Sequence, residues 1–221
     1  MIKIITIDGP SGSGKGTVAS LLAQKLDWHL LDSGAMYRAV AVAVLRQGLN
    51  LLSANLSQLI ASLNIVLHNN QVWLDNEDIS NIIRSEDVGL MASKIAAIPE
   101  VRTVLIAQQR ACAKPPGLVA DGRDMGTLIF PNAQVKIFLT ATPEERAQRR
   151  YKQLKEKGLH VNLSDLTAAI LERDERDQSR SVAPLKAAAA ALVVDSTGRS
   201  IEIVFTQILA QVVATFPDLQ V

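Results

Sequence analysis

The stretch MIKIITIDGPSGSGKGT, residues 1–17, decides the fold class. A β-branched apolar run from Met1 to Asp8 ends at a glycine-rich turn, and from Gly16 to Leu26 the residues Val18, Leu21, Leu22 and Leu26 recur at helical spacing. The order is strand, loop, helix. In that setting Gly9, Pro10, Ser11, Gly12, Ser13, Gly14, Lys15, Gly16 and Thr17 read as a phosphate-binding loop of the GxxxxGK type. Glycines let the backbone turn its N–H groups toward a phosphate, the helix N-terminus adds its dipole, and Lys15 brings a mobile charge to the β- and γ-phosphates. An ordinary glycine-rich turn would require neither the lysine nor the flanking elements.

The loop departs from the common form at one position. Gly16 stands where a Ser or Thr usually contacts Mg²⁺, and the nearest hydroxyl is one place later, at Thr17. No dedicated metal ligand is expected: Mg²⁺ would rest mainly on nucleotide oxygens and water. A GTPase needs that hydroxyl and a guanine-reading Asn-Lys-x-Asp, which the chain lacks. The Gly-Lys-Gly-Thr form points instead to small-molecule and nucleotide kinases, where both substrates carry phosphates.

Further along, Leu118 to Asp121 and Val135 to Leu139 repeat the short buried-strand pattern, and Thr142, Pro143 and Glu145 predict a capping box with proline in the first turn. A last strand, Leu192 to Asp195, leads into a helix over Ser200 to Ala214. Strands alternating with helices predict an α/β fold with a parallel sheet covered on both faces. Asn64 to Asp75 breaks the rhythm, because Ile65 to Leu67 and Val72 to Leu74 flank Asn69-Asn70 as in a small antiparallel hairpin, an insertion over about residues 64–80. The alanines 187–191 read as helix by propensity and as connector by position, and both readings stay open. With no internal repeat and no linker, residues 1–221 form one expected domain.

Composition bounds the partners. Apolar residues make up 48% of the 221 and charged residues 20%, a globular balance. The 23 basic and 22 acidic residues leave a net charge of +1, so no global field draws nucleic acid or an anionic membrane. The apolar runs Ala39 to Leu45 and Ala187 to Val194 fall well short of the roughly 20 residues a spanning helix needs. Cys112 has no intrachain partner, and His29, His68 and His160 are too scattered for a zinc site. A monomer in the reducing cytoplasm is expected.

A kinase whose acceptor also carries phosphate must gather arginines. Arg38 lies in DSGAMYR, residues 32–38, where an apolar pair gives way to a helix. Arg123 lies in DGRD, residues 121–124, at the carboxyl end of a predicted strand, the edge where open α/β sheets bind ligands. Arg38 alone reads equally well as a solvated ion pair. On the helix predicted over Ser164 to Arg180, the stripe Leu163, Leu166, Ile170 continues at the same steps into Arg173, Asp177 and Arg180. Charges on an inward face imply a wet cleft for a charged ligand; the alternative is a frayed, solvated helix end. Arg146, Arg149 and Arg150 share one face of the preceding helix, which suits an arginine-lined flap over phosphates or pairing with Glu144, Glu145 or Glu172.

Together these motifs resemble the bacterial cytidylate kinases, P-loop nucleoside monophosphate kinases. The resemblance is carried by GPSGSGKGT at 9–17, LLDSGAMYR at 30–38, MASKIAAIPEVR at 91–102, ADGRDMGT at 120–127, ERDERDQSR at 172–180 and VVDST at 193–197, and so spans nearly the whole chain. It implies an adenylate-kinase-like fold with a five-stranded parallel core, an acceptor-nucleotide region near residues 32–112 and a short lid near 146–165. The implied reaction moves the γ-phosphoryl group of ATP, with Mg²⁺, to CMP or dCMP. Lys15, Arg38 and Arg123 would act in catalysis, with Arg38 and Arg123 holding the CMP phosphate. Ser93, Arg102 and Asp124 would read cytosine, Arg173 and Asp177 would contact ribose, and Arg180 would reach the acceptor, alongside Ser33 and Tyr37. Asp121 would orient metal-bound water. The attacking phosphate oxygen of CMP is already anionic, so no general base is required. The rival readings are another small P-loop kinase with a different nucleoside monophosphate or metabolite as acceptor, and a nucleotide-binding switch.

Overall fold

The computed structural model describes residues 2–51, 53, 56–68, 71–156 and 158–219. They fall into two compact units, one made of residues up to Leu30 and from Lys114 onward, the other of Leu31–Ala113.

The first unit is built on β1 (Lys3–Asp8), whose Ile5 and Ile7 are fully buried. It pairs in parallel with β6 (Gly117–Gly122) on one side and β7 (Val135–Thr140) on the other, and β8 (Leu192–Asp195) extends the sheet beyond β7. With β2 (His29–Asp32) the order is β2-β6-β1-β7-β8. A central strand flanked on both sides must be apolar on both faces, which is why β1 and β6 read as continuous rather than alternating runs. Helix α1 (Lys15–Leu26) and α8 (Ile201–Thr215) cover one face through Val18, Leu22, Val204, Ile208 and Val212. Helices α6 (Pro143–Glu156) and α7 (Leu163–Gln178) also belong to this unit and pack on each other.

The second unit holds α2 (Ser33–Gln47), buried around most of its circumference, which explains its run of Ala and Val. Asp32 caps it by accepting from Ala35 N at 2.9 Å. The helices α3 (Leu56–Ser62) and α5 (Pro99–Ala111) pack together, as do α2 and α4 (Glu86–Ile95). The expected hairpin is present as β3 (Ile65–His68) against β4 (Gln71–Leu74), and β5 (Glu77–Asp78) makes it a three-stranded antiparallel sheet. Its turn residues Asn69 and Asn70 lie outside the described residues.

One local expectation is corrected, and one reading that stood open is decided. The capping box at α6 is half formed: Thr142 Oγ1 accepts from Glu145 N at 3.3 Å, but the Glu145 carboxylate turns to Arg149, and Thr142 N donates instead to Thr197 Oγ1 at 3.0 Å. The alanines 187–191 are connector, not helix, with Ala190 at φ 59° and Ala191 N bonded to Ala188 O. Among the described residues no helix is long and apolar enough to cross a membrane.

Gly117 begins β6 directly beneath the Trp28 indole, where a Cβ would lie 2.4 Å from Cδ2. Neither the backbone of a central strand nor a buried tryptophan can retreat far. Gly117→Ala is therefore expected to destabilise the protein by about 1–3 kcal/mol, read by urea unfolding, and Trp28→Leu in the same chain should restore part of the loss.

Candidate active site

The phosphate-binding loop takes the shape its glycines permit. Gly12 and Gly14 have φ of 80° and 93°, and Gly14 caps α1 through its backbone, so the first N–H groups of the helix are left for a ligand. Lys15 is 7% exposed and its Nζ donates to Pro10 O at 3.1 Å, which folds the side chain back across the loop. The Ser13 hydroxyl is fully buried and has no hydrogen-bond partner among the described residues. Thr17 is exposed. A Cβ at Gly16 would lie 3.2 Å from Asp121 Oδ2, a tight approach to the end of a side chain. The carboxylate at the end of β6 fills the space beside the loop that a larger residue at position 16 would contest.

The outer side of the loop is held by arginines. Arg146, 2% exposed, donates from Nε to Ala141 O at 2.9 Å and from Nη1 to Ser11 O at 3.1 Å, while its two Nη atoms engage both oxygens of the Asp174 carboxylate. Arg149 donates to Ser13 O at 3.3 Å and to Ser196 O at 2.7 Å, and the Ser196 hydroxyl donates to Ser13 O at 2.9 Å. Carbonyls gripped from outside leave the loop N–H groups to face inward. Two members of the arginine face expected to line a phosphate flap thus brace the loop backbone, and Arg149 also forms the foreseen pair with Glu145.

At the end of β6, Arg123 Nε donates to Asp177 Oδ2 at 2.9 Å, and Arg180 donates to Asp177 Oδ1. Asp177 is 1% exposed, so the inward charged face expected on α7 is present, although Arg180 lies just past the helix end. Burial alone would raise the Asp177 pKa. The charges of Arg123 and Arg180, the hydrogen bond from Arg123 and the charge of Arg173 outweigh it and hold the carboxyl below its usual range. The apolar stripe Leu163, Leu166 and Ile170 is only half-buried, whereas Asp174 and Asp177 are the buried residues of α7. Asp124 is also buried.

The second unit collects the other expected residues. Ser33, Tyr37, Ser93 and Arg102 are all buried. The Arg102 guanidinium lies 5.8 Å from the centre of the Tyr37 ring and donates to Ala96 O at 3.1 Å. Arg38 donates to Ile83 O at 2.7 Å and passes so close to α4 that a Cβ at Gly89 would meet its guanidinium at 3.2 Å. Sequence reasoning missed Gly89: a glycine inside a helix marks the path of an arginine that only the fold reveals.

It also missed Asp8. The carboxylate at the end of β1 is 2% exposed and accepts from Met125 N and Gly126 N, each at 2.8 Å. The sequence signal was slight, a polar residue closing an apolar strand.

Residues 5–214 match the family model for cytidylate kinase. The chain is similar to the cytidylate kinase of Aeromonas salmonicida strain A449, with 56% identity over 215 residues that cover 95% of this chain and 94% of that one. With the cytidylate kinase of Azotobacter vinelandii strain DJ the identity is 53% over 218 residues, covering 96% and 95%. An uncharacterized protein from Eubacterium ventriosum shares the fold, with a TM-score of 0.54 at 12% identity over 97% of this chain and 99% of that one.

Two of the buried aspartates, Asp8 and Asp177, are shifted in opposite senses. Burial, opposed by the Gly126 and Met125 N–H bonds and aided by the charge of Asp124, raises Asp8 from 3.8 to about 6. A raised folded pKa contributes stability that is fully present below the unfolded value and is lost as pH rises through about 6; the lowered pKa of Asp177 contributes stability that is lost only in acid. Between about pH 4 and pH 7, Asp8 should therefore cost the fold roughly 2–3 kcal/mol. Urea unfolding of wild type and Asp8→Asn at the two pH values checks this, since the asparagine chain lacks that particular decline.

Proposed function

The chain belongs to the cytidylate kinase family, and from that premise we propose how its residues divide the work of the reaction. The protein transfers the γ-phosphoryl group of ATP to CMP or dCMP, giving ADP and the corresponding diphosphate. One observation carries the division of labour: Asp8 and Gly122 are register partners on adjacent parallel strands. The donor loop begins at Gly9 and the acceptor arginine is Arg123, so both leave the same sheet edge from strands about 4.8 Å apart.

ATP phosphates would lie in the loop 9–17, against the N–H groups at the head of α1, the buried Ser13 hydroxyl and Lys15. Arg123 and Arg38 would hold the phosphate of CMP, with Arg180 beside it. Asp177 keeps its charge through its arginines, so it offers acceptor oxygens to a ribose hydroxyl. Ser93, Arg102 and Asp124 would read cytosine, and Ser33 and Tyr37 complete the acceptor region, which we assign to residues 32–112. The second unit, Leu31–Ala113, supports that assignment. We assign the lid to residues 146–165.

The residues near the loop suit a hard cation held largely by others: the Asp121 carboxylate stands beside Gly16 and the Thr17 hydroxyl is exposed. Mg²⁺ would be held by nucleotide oxygens and water oriented by Asp121, with Thr17 the nearest hydroxyl, and would neutralise phosphate charge. Lys15 and the arginines align the two phosphates and stabilise the charge that develops between them. A monomer is the working form we assign.

The deciding experiment is an ADP-release assay over a panel of acceptors. CMP and dCMP should be used well, AMP and metabolite acceptors poorly, and hydrolysis without acceptor should be slow. Lys15→Ala should fold normally and lose about a hundredfold or more in turnover; near-normal turnover at saturating substrates would remove the loop from the mechanism. Arg102→Met should lower kcat/KM for CMP by roughly tenfold to a hundredfold while leaving the KM for ATP nearly unchanged. Equal weakening of both substrates would make Arg102 a structural residue.

A further inference from the structure

Asp8 has no part in the reaction as described above, yet its placement is specific. It is the last residue of β1 and directly precedes the donor loop. Its backbone is in register with Gly122, the last residue of β6. Its carboxylate then reaches across to the start of the Met125–Ile129 turn, with Met125 N donating to Oδ1 and Gly126 N to Oδ2. The segment Arg123-Asp124 is thus gripped at both ends by one residue, through the strand pairing at Gly122 and through the side chain at Met125 and Gly126.

The grip admits few substitutes. Both carboxylate oxygens accept, so a side chain with one acceptor cannot reproduce it. Gly126 must also lack a side chain: a Cβ there would lie 2.8 Å from Thr6 Oγ1 and 3.3 Å from Asp8 Oδ2. The charged form of Asp8 is buried at the expense of stability, so its presence is not explained by the strength of the fold.

We propose that Asp8 is a positioning residue for phosphoryl transfer, fixing the Gly122–Gly126 turn so that Arg123 meets the acceptor phosphate at a set place relative to the donor loop. The proposal rests on the assignment of Arg123 to the CMP phosphate. Arg123 is aimed from its own side by Asp177 and by its Nη1 bond to Gly122 O at 3.2 Å. Asp8 supplies the other half, the backbone from which the arginine projects. A shift of that backbone by about an ångström is enough to cost up to roughly a hundredfold in rate.

The test is a double-mutant cycle in kcat, with KM for ATP and CMP measured separately. Asp8→Asn keeps the shape, retains one acceptor and sets an N–H donor against the second backbone N–H. It should lower kcat with CMP by about tenfold to a hundredfold and leave the KM for ATP within about threefold. In an Arg123→Met background the same change should cost no more than about threefold, because Asp8 acts through the arginine. Asp8→Glu, which keeps both acceptors on a longer arm, should recover part of the rate. If Asp8→Asn does not fold, Gly126→Ala runs the same cycle, because its Cβ crowds the Thr6 hydroxyl and the Asp8 carboxylate and so displaces the turn from the end of β1. Wild-type kcat in the foldable variant overturns the proposal, as does a loss undiminished in the Arg123→Met background. If Arg123→Met itself shows wild-type kcat/KM for CMP, the assignment of Arg123 fails and the proposal with it; a defective Arg123→Met beside a normal Asp8 variant sinks the proposal alone.

Discussion

Parallel pairing of β1 with β6 and β7 puts Asp8, Gly122 and Phe138 in one row at the carboxyl end of the sheet. The strands behind that row are apolar and fully packed, with Ile5, Ile7 and Val119 inaccessible to water. The charged residues that follow them are therefore rooted in a rigid base and emerge in close order. Their mutual repulsion is answered within the protein. Asp177 is ringed by Arg123, Arg173 and Arg180, and Asp174 holds Arg146 in a two-pronged pair. A net charge of +1 conceals this local concentration.

Burying such pairs is a poor way to gain stability, because the desolvation of each ion offsets much of the attraction. Their value here is directional. Arg146 is fixed by Asp174 and in turn fixes Ser11 O, while Arg149 and Ser196 converge on Ser13 O. The phosphate loop consequently has its carbonyls engaged before any ligand arrives, and its N–H groups need no reorganisation to meet one.

Much of this was legible in the sequence where a single physical signal dominates. The loop announced itself through Lys15 between a strand and a helix, and the step of three and four that carried Ile170 into Arg173 and Asp177 identified a buried carboxylate correctly. What was hidden depended on a second residue distant in the chain. Arg146 read as part of a phosphate flap or as a partner of a nearby glutamate, because its actual partner Asp174 lies 28 positions away. Gly89, Gly117 and Gly126 are glycines on behalf of Arg38, Trp28 and the Thr6–Asp8 strand end, and no local turn rule applies to them. The capping box at Thr142 is only half formed for the same reason: the Thr142 N–H found its partner in Thr197, 55 positions away. The roles proposed for Ser93 and Arg102 rest on family resemblance alone, since burial on a helix does not disclose a ligand.

The crowding between Gly16 and Asp121 bears on how such loops can change over generations. A Cβ at position 16 would lie 3.2 Å from the Asp121 carboxylate oxygen, the end of a side chain, so a small residue there asks that oxygen to give by only a few tenths of an ångström. A serine at 16 and the carboxylate are compatible, because the hydroxyl donates and the carboxylate accepts. Such a change is open in a single step, and what it alters is the set of one carboxylate rather than the course of the loop.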